Sequence, residues 1–120
     1  LPYTIFTPYS RKWKDLLNFF YLKSYPVEKY FGNLIHSPSE PLMSLENIGF
    51  NSRQFVEFPT IEIPLSRIEI YNTTRDIPSI LGTSRLSLHL RFGTISIREL
   101  ARVAQAKNET YLNELIWRDF

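Results

Sequence analysis

The stretch that organises this chain is Leu81-Gly82-Thr83-Ser84-Arg85-Leu86-Ser87. It places hydroxyl side chains and one guanidinium group directly after a glycine. Hydroxyl groups, backbone N–H groups and arginine are donors that proteins use to hold phosphate oxygens. Serine and threonine in turns also cap helices by bonding to nearby backbone groups. The residues alone leave both interpretations open, and the glycine spacing of a Walker or dinucleotide motif is absent.

The last ten residues, 111–120, form the second distinctive stretch. A helical wheel places Leu112, Leu115, Ile116 and Phe120 on one side and Tyr111, Glu114, Trp117 and Arg118 on the opposite arc. A solvated face normally carries Lys, Glu and Gln, so aromatic rings beside an acid and an arginine indicate a binding face. The alternative is a helix buried on both sides, with Glu114 and Arg118 paired one turn apart. The pattern leaves both possibilities open.

Composition excludes some classes of protein. The length of 120 residues suits one domain, and a hydrophobic fraction of 43% with 15% aromatic residues predicts a packed core or a stacking site. The net charge of +2 permits nucleic-acid binding without arguing for it. There is no cysteine, which excludes disulfides and thiolate metal sites. His36 and His89 lie far apart without acidic neighbours at ligand spacing, so we expect no metal site.

The ends of the chain carry no targeting signal. The N-terminus lacks the basic start and apolar run of a signal peptide, and no segment has the length of a membrane helix. We therefore expect a soluble, cytoplasmic protein without a membrane partner. Leu1 is not an initiator Met and Phe120 falls within a helical pattern, so we expect a piece of a longer chain.

Apolar periodicity predicts helices at both ends of the sequence, over 8–21, 65–76, 96–106 and 109–120. The first would have Thr7 as its N-cap and Pro8 at its first position. The second and third begin with capping boxes, in which Ser66 and Ser96 each precede a Glu by three residues. Asn108 would cap the last helix. Residues 81–92 are ambiguous because their alternation of apolar and polar residues is also typical of a strand.

The middle of the chain, 24–64, is rich in proline and irregular in pattern. Prolines at 26, 38, 41, 59 and 64 interrupt any long element. Its many large apolar residues need burial, which argues against disorder. We predict an ordered linker that lies over the surface of another domain, with a weak strand over 54–63.

The two distinctive stretches together resemble the photolyase/cryptochrome flavoproteins, and within them the microbial enzymes that repair cyclobutane pyrimidine dimers. The resemblance rests on Gly82-Thr83-Ser84-Arg85-Leu86-Ser87, His89-Leu90-Arg91-Phe92-Gly93 and Asn113-Glu114-Leu115-Ile116-Trp117-Arg118-Asp119-Phe120. Phe6-Thr7-Pro8-Tyr9 with Trp13 also resembles the family's segment after its antenna domain. The resemblance covers the whole chain, weakly over 24–64 and most specifically over 71–120.

The resemblance implies a mainly α fold with a defined domain order. Residues 1–23 would end the antenna-domain region, 24–64 would be the long, mostly irregular interdomain linker, and 65–120 would begin the helical FAD-binding domain. It also predicts a short helix over 87–92, against the strand interpretation. The rest of the family's flavin pocket would lie beyond this chain, so the chain by itself is expected to be inactive.

The resemblance also implies a role for each candidate residue. The FAD contacts would be Tyr71, Thr83, Ser84, Arg85, Leu86, Ser87 and Tyr111, the loop holding the diphosphate. Glu114 would hydrogen-bond the lesion and Trp117 would stack on the flipped-out pyrimidine pair. Arg118 would lie where flavin and DNA meet, and Arg75 would approach the DNA backbone. The antenna chromophore is not indicated.

The implied activity is light-driven repair of pyrimidine dimers in DNA, with an electron from photoexcited reduced FAD. The alternative is a cryptochrome, a blue-light receptor with the same flavin fold and no repair activity. An acid and an indole on one helix face favour repair, because a receptor need not keep both aimed at a lesion.

Overall fold

In the computed structural model, which describes residues 2–51 and 57–120, the regular structure is helical. The helices are α1 (Phe6–Leu16), α2 (Phe19–Leu22), a 3-10 helix (Val27–Asn33), α3 (Leu65–Glu69), α4 (Tyr71–Thr74), α5 (Ser87–Phe92), α6 (Ile97–Lys107) and α7 (Glu109–Asp119). No strand occurs in these described residues. The prediction of a mainly α fold is confirmed.

The helical hairpin of α6 and α7 is defined by side-chain caps. The Ser96 hydroxyl accepts a hydrogen bond from the Glu99 N–H at 3.4 Å, and the Asn108 side-chain oxygen accepts from the Tyr111 N–H at 3.1 Å. Each cap satisfies a backbone donor that has no partner within its helix. Both caps and both helices were predicted from the sequence, and they are confirmed to within one residue.

A single apolar core holds these helices together. Its buried members are Leu22, Ile68, Leu86, Leu100, Ala101, Ala104, Tyr111, Leu112, Leu115 and Ile116. The largest fully buried side chains are Ile68 of α3, Leu86 directly before α5, Leu100 of α6 and Ile116 of α7. Each Leu or Ile buried in this way contributes roughly 1.5–3 kcal/mol, so the core fixes α7 against the 81–87 stretch.

The predicted helix over 8–21 is wrong in its bounds. It is two helices, because Leu17 and Asn18 are extended and the Asn18 side chain accepts from the Phe20 N–H at 2.9 Å, which starts α2. The predicted cap at Thr7 is also wrong, since α1 begins at Phe6 without a side-chain cap. Pro8 still lies in the first turn, where its missing N–H costs no helical hydrogen bond.

The predicted helix over 65–76 is likewise divided, at Ile70, into α3 and α4. Two threonine hydroxyls, of Thr73 and Thr74, donate to the Ile70 carbonyl at 2.8 and 3.0 Å, a competition that bends short helices. The predicted Ser66 capping box is wrong, because α3 begins one residue earlier. Glu69 pairs instead with the Lys107 ammonium at 2.6 Å.

The ambiguous stretch before Gly93 is helical, as the family resemblance predicted. The helix α5 begins at Ser87 and ends at Gly93, which has a left-handed φ of 65°. The alternating pattern was misleading because Leu86 and Leu90, which lie one helical turn apart, pack in or against the core, whereas Phe92 is 69% exposed. Gly93 serves as the terminator that the sequence predicted.

The described residues of Tyr25–Phe58 form a separate compact unit. Apart from the 3-10 helix and a turn in which Ser44 and Asn47 share hydrogen bonds, its described residues are irregular. The predicted weak strand over 54–63 is not found in residues 57–63, and residues 54–56 lie outside the described part. The domain boundaries at 24 and 64 stay a prediction. None of the helices in the described ranges is long and apolar enough to cross a membrane.

Candidate functional site

The loop over 81–86 approaches α4 more closely than a side chain would permit. The Thr74 hydroxyl lies 3.0 Å from the Gly82 carbonyl oxygen and shares its single hydrogen between this oxygen and the Ile70 carbonyl. A Cβ atom on Gly82 would lie 2.4 Å from the Thr74 carbonyl oxygen and 2.8 Å from its carbonyl carbon. Glycine is therefore required here by close contact between two backbones, and the loop is fixed on α4.

Two neighbouring residues, Arg85 and Leu86, determine which loop groups face outward. Arg85 has a φ of 56°, the only positive value at a non-glycine position in the described residues. Leu86 is only 1% exposed and anchors the loop in the core, so a ligand could reach only its backbone. The side chains of Thr83, Arg85 and Ser87 are exposed. A strained conformation held by buried neighbours is typical of ligand-binding loops.

The Ser84 hydroxyl links this loop to α7. Its oxygen accepts a hydrogen bond from the Tyr111 hydroxyl at 2.8 Å and from the Leu86 N–H at 3.4 Å. A hydroxyl has two acceptor lone pairs and one hydrogen, so these contacts leave the hydrogen of Ser84 for another acceptor. Together with the exposed hydroxyls of Thr83 and Ser87 and the Arg85 guanidinium, this donor set fits an anion such as a phosphate.

Two tyrosines continue the site from the loop towards α4. The rings of Tyr71 and Tyr111 meet edge to face, with centroids 4.9 Å apart. Burial raises the pKa of Tyr111, and burial also leads the rise in the pKa of Tyr71, to which the Glu114 carboxylate adds. Both phenols are therefore neutral at neutral pH. Of the two alternatives that the wheel left open for this arc, Tyr111 follows the buried one, since only 4% of it is exposed.

The carboxyl group of Glu114 is held by Arg75. The Arg75 guanidinium pairs with Glu114 Oε1 and lies over the Tyr71 ring at 5.5 Å. The hydrogen bond that Arg75 donates to Glu114 raises the pKa of Arg75. Both side chains are about one-third exposed, 31% and 34%, so solvent and a ligand can reach the pair. The alternative pairing of Glu114 with Arg118 is wrong, because Glu114 bonds to α4 instead.

Trp117 lies one turn further along α7 and is 50% exposed. Its ring stacks on Phe6 with centroids 3.8 Å apart and planes 9° apart, and Phe120 meets its edge at 5.5 Å. The side chain of Arg118 lies elsewhere. It lines a cavity of about 300 Å³ with residues of α5, α6 and the loop between them. The structure thus gathers most candidate residues, while Arg118 sits at a separate cavity.

Sequence reasoning missed the contacts between α1 and the end of α7. Asp119 Oδ2 accepts hydrogen bonds from the Tyr9 hydroxyl at 2.6 Å and from Trp13 Nε1 at 3.1 Å. The hydrogen bond that Tyr9 donates to Asp119 raises the pKa of Tyr9 to about 12, and burial and the negative charge of Asp119 add to the rise. More than 100 residues separate the partners, so no local pattern could reveal the pairing. Phe120, which was placed on the apolar face, is 42% exposed and packs on Phe6, Tyr9 and Trp117.

Comparison with known proteins shows similarity along nearly the whole chain. The deoxyribodipyrimidine photo-lyase of Alkalihalophilus pseudofirmus is 31% identical over an alignment of 143 positions, which covers 99% of this chain and 28% of that protein. The enzyme of the same name from Halobacterium salinarum is 29% identical over 99% of this chain and 29% of its own length. The Escherichia coli K12 enzyme of that name is 44% identical over 59 residues, covering 42% of this chain.

The similarity defines the class of protein. The chain belongs to the photolyase/cryptochrome family, as its sequence predicted, and it spans somewhat over a quarter of the length of the first two of these relatives. No protein-family model matches the chain. No solved structure matches it either.

Proposed function

We propose that this chain forms part of a light-dependent DNA repair flavoprotein that splits cyclobutane pyrimidine dimers. The observation that carries the proposal is the continuous set of contacts from the 81–87 loop through Tyr111 and Tyr71 to the Arg75–Glu114 pair. It joins the donor set of the loop, which suits phosphate, to the acid on α7, whose side chain is about one-third exposed. The relatives named deoxyribodipyrimidine photo-lyase support the same activity.

The cofactor is proposed to be FAD, held at its diphosphate by the loop. Ser84 would donate its remaining hydrogen to a phosphate oxygen, and the exposed hydroxyls of Thr83 and Ser87 would do the same. The Arg85 guanidinium would balance the diphosphate charge. Tyr71, with its neutral phenol and its ring against Tyr111, would bound the pocket on the α4 side. Reduced FAD, when bound and excited by blue light, supplies the electron that opens the dimer.

The lesion would be held by the outer face of α7. Arg75 occupies Glu114 Oε1, which fixes the carboxyl group and leaves Oε2 for a hydrogen bond to a base. Trp117 offers half of its surface for stacking, which is worth roughly 1–3 kcal/mol per base. Arg75 is proposed to exchange part of its contact with Glu114 for a DNA phosphate. Arg118 is proposed to contact the DNA, near the flavin, from the cavity that it lines with Leu115 and Asp119.

A blue-light receptor of the cryptochrome type is the second candidate, because the loop and its tyrosines would suit FAD in either case. The feature that favours repair is the presence of two accessible side chains on α7, Glu114, which is about one-third exposed, and Trp117, which is half-exposed. A receptor would bind FAD through the same loop without needing an acid and a free indole face directed at DNA.

The test is dimer repair by the complete protein that contains this chain. The flavin-loaded protein would be mixed with oligonucleotides that carry one thymine dimer, as single and as double strands, and exposed to blue light or kept dark. We expect dimer loss only in the light. Flavin binding without repair of either substrate would support the receptor instead.

The chain alone is proposed to be inactive and to bind FAD weakly. In the described residues the loop and the Tyr71–Tyr111 pair form one side of a site, and many large apolar side chains around them are exposed. Fluorescence titration of FAD with the 120-residue chain would test this, and a flavin spectrum that copurifies with the chain would contradict it.

A further inference from the structure

One face of the Trp117 indole is already covered by another ring. Phe6 lies parallel to it, with centroids 3.8 Å apart and planes 9° apart. That separation is full van der Waals contact, so no flat ligand can enter between the two rings. A base that stacks on Trp117 must therefore use the opposite face, and half of the residue remains exposed for it. Phe120 restricts the indole further through an edge contact at 5.5 Å.

The helix that carries Phe6, α1, forms polar contacts with both ends of α7. At the C-terminal end of α7, Asp119 accepts hydrogen bonds from Tyr9 and Trp13 at 2.6 and 3.1 Å. At its N-terminal end, Glu109 pairs with the Lys14 ammonium at 2.6 Å. Because these contacts lie at both ends of α7, they hold α1 alongside it. Phe6 therefore stacks on the indole before any ligand binds.

We propose that Phe6 is a positioning residue that holds the Trp117 indole in the plane needed to stack on a pyrimidine base. The inference rests on the proposed function, because it assumes that Trp117 receives a base. An indole without this support must be ordered when the ligand binds. The entropic cost of ordering one such side chain weakens binding roughly 2- to 10-fold.

The test compares three variants of the complete protein. Phe6→Leu keeps an apolar side chain but removes the stacking ring, and Phe6→Tyr keeps the ring. Phe19→Leu is the matched control, since Phe19 is 81% exposed. Fluorescence anisotropy in the dark would measure the Kd for dimer-containing and for undamaged oligonucleotides. Repair per absorbed photon would be measured at saturating DNA.

We expect Phe6→Leu to raise the Kd for dimer-containing DNA roughly 2- to 10-fold while leaving undamaged DNA and repair at saturation unchanged. Phe6→Tyr should retain wild-type binding, and Phe19→Leu should match the wild type. In the 120-residue chain, Phe6→Leu should also change the near-ultraviolet circular dichroism of the tryptophans while the far-ultraviolet spectrum stays the same.

Three results would overturn the role of Phe6 and leave the proposed function intact. The first is unchanged binding of dimer-containing DNA by Phe6→Leu. The second is tighter binding of that DNA, which would show that Phe6 occupies the face of the indole that the ligand uses. The third is an equal loss of affinity for undamaged DNA, which would show a general structural defect. A wild-type protein without any preference for dimer-containing DNA would instead overturn the proposed function, and with it the ligand assigned to Trp117.

Discussion

Replacement of Gly82 by Ala is the sharpest test of how the 81–87 loop is built. The new Cβ would lie 2.4 Å from the Thr74 carbonyl oxygen and 2.8 Å from its carbonyl carbon, both backbone atoms of α4 that cannot rotate away. The loop or the helix must therefore move. Overpacking of this kind costs about 1–3 kcal/mol, and loss of the Thr74–Gly82 hydrogen bond would add about 0.5–1.5 kcal/mol. We expect Gly82→Ala to lower the free energy of unfolding by about 1.5–4.5 kcal/mol.

Urea unfolding followed by tryptophan fluorescence would measure this loss, since Trp13 and Trp117 lie in the same compact unit as the loop. Gly93→Ala is the informative control. The Cβ atom added at position 93 meets no atom within 4 Å, but the alanine must adopt a left-handed φ of 65°, which costs about 1–2 kcal/mol. A Gly82→Ala variant within about 0.5 kcal/mol of the wild type would refute the close contact between loop and helix.

Further predictions concern the polar contacts of the site. Tyr111→Phe removes the donor of the hydrogen bond to the loop and should lower the free energy of unfolding in urea by about 0.5–1.5 kcal/mol; no loss would contradict the bond. The pKa of Tyr9 should be near 12 rather than near its ordinary value of 10. The difference in tyrosinate absorbance between wild type and Tyr9→Phe should therefore appear only as the pH approaches 12. Asp119→Asn should return the pKa of Tyr9 towards its ordinary value. Because the folded pKa is raised, the stability from this contact is present below pH 10 and is lost as the pH rises through about 12. For Arg75 and Glu114, a double-mutant cycle with glutamine at both positions should give a favourable coupling at low salt that shrinks at high salt; a coupling that salt does not change would argue against the ion pair.

Local signals accounted for the parts of the fold that depend on neighbouring residues. Ser96, Asn108 and Gly93 each bond to or end a helix within a few residues of themselves, so their roles could be predicted from spacing. The break at Asn18 was missed although it too is local. The apolar periodicity runs through it, and only the competing bond from the Phe20 N–H reveals that a second helix begins there.

The sequence predicted which residue types form the candidate site, but not which of these residues contact one another. The loop hydroxyls and the acid of α7 were singled out from the sequence, yet the partner of Glu114 proved to be Arg75, which lies 39 positions away. The burial of Tyr111 depends on where the loop and α4 pack, which a helical wheel of one element cannot show. The stacking of Phe6 on Trp117 likewise arises from the packing of two distant helices.

We propose that the outer face of α7 and the 81–87 loop serve light-driven dimer repair. The most direct test of this proposal is the rate of dimer loss per absorbed photon for the flavin-loaded complete protein and its Glu114→Gln variant, with Glu62→Gln, at an exposed position, as control. We predict repair by the wild type in blue light and none in the dark. Glu114→Gln should lower repair by about tenfold or more with its flavin spectrum intact, because a neutral amide replaces the charged carboxylate that would accept a hydrogen bond from the dimer. No light-dependent repair of single- or double-stranded DNA by the wild type, or full repair by Glu114→Gln, would contradict the claim.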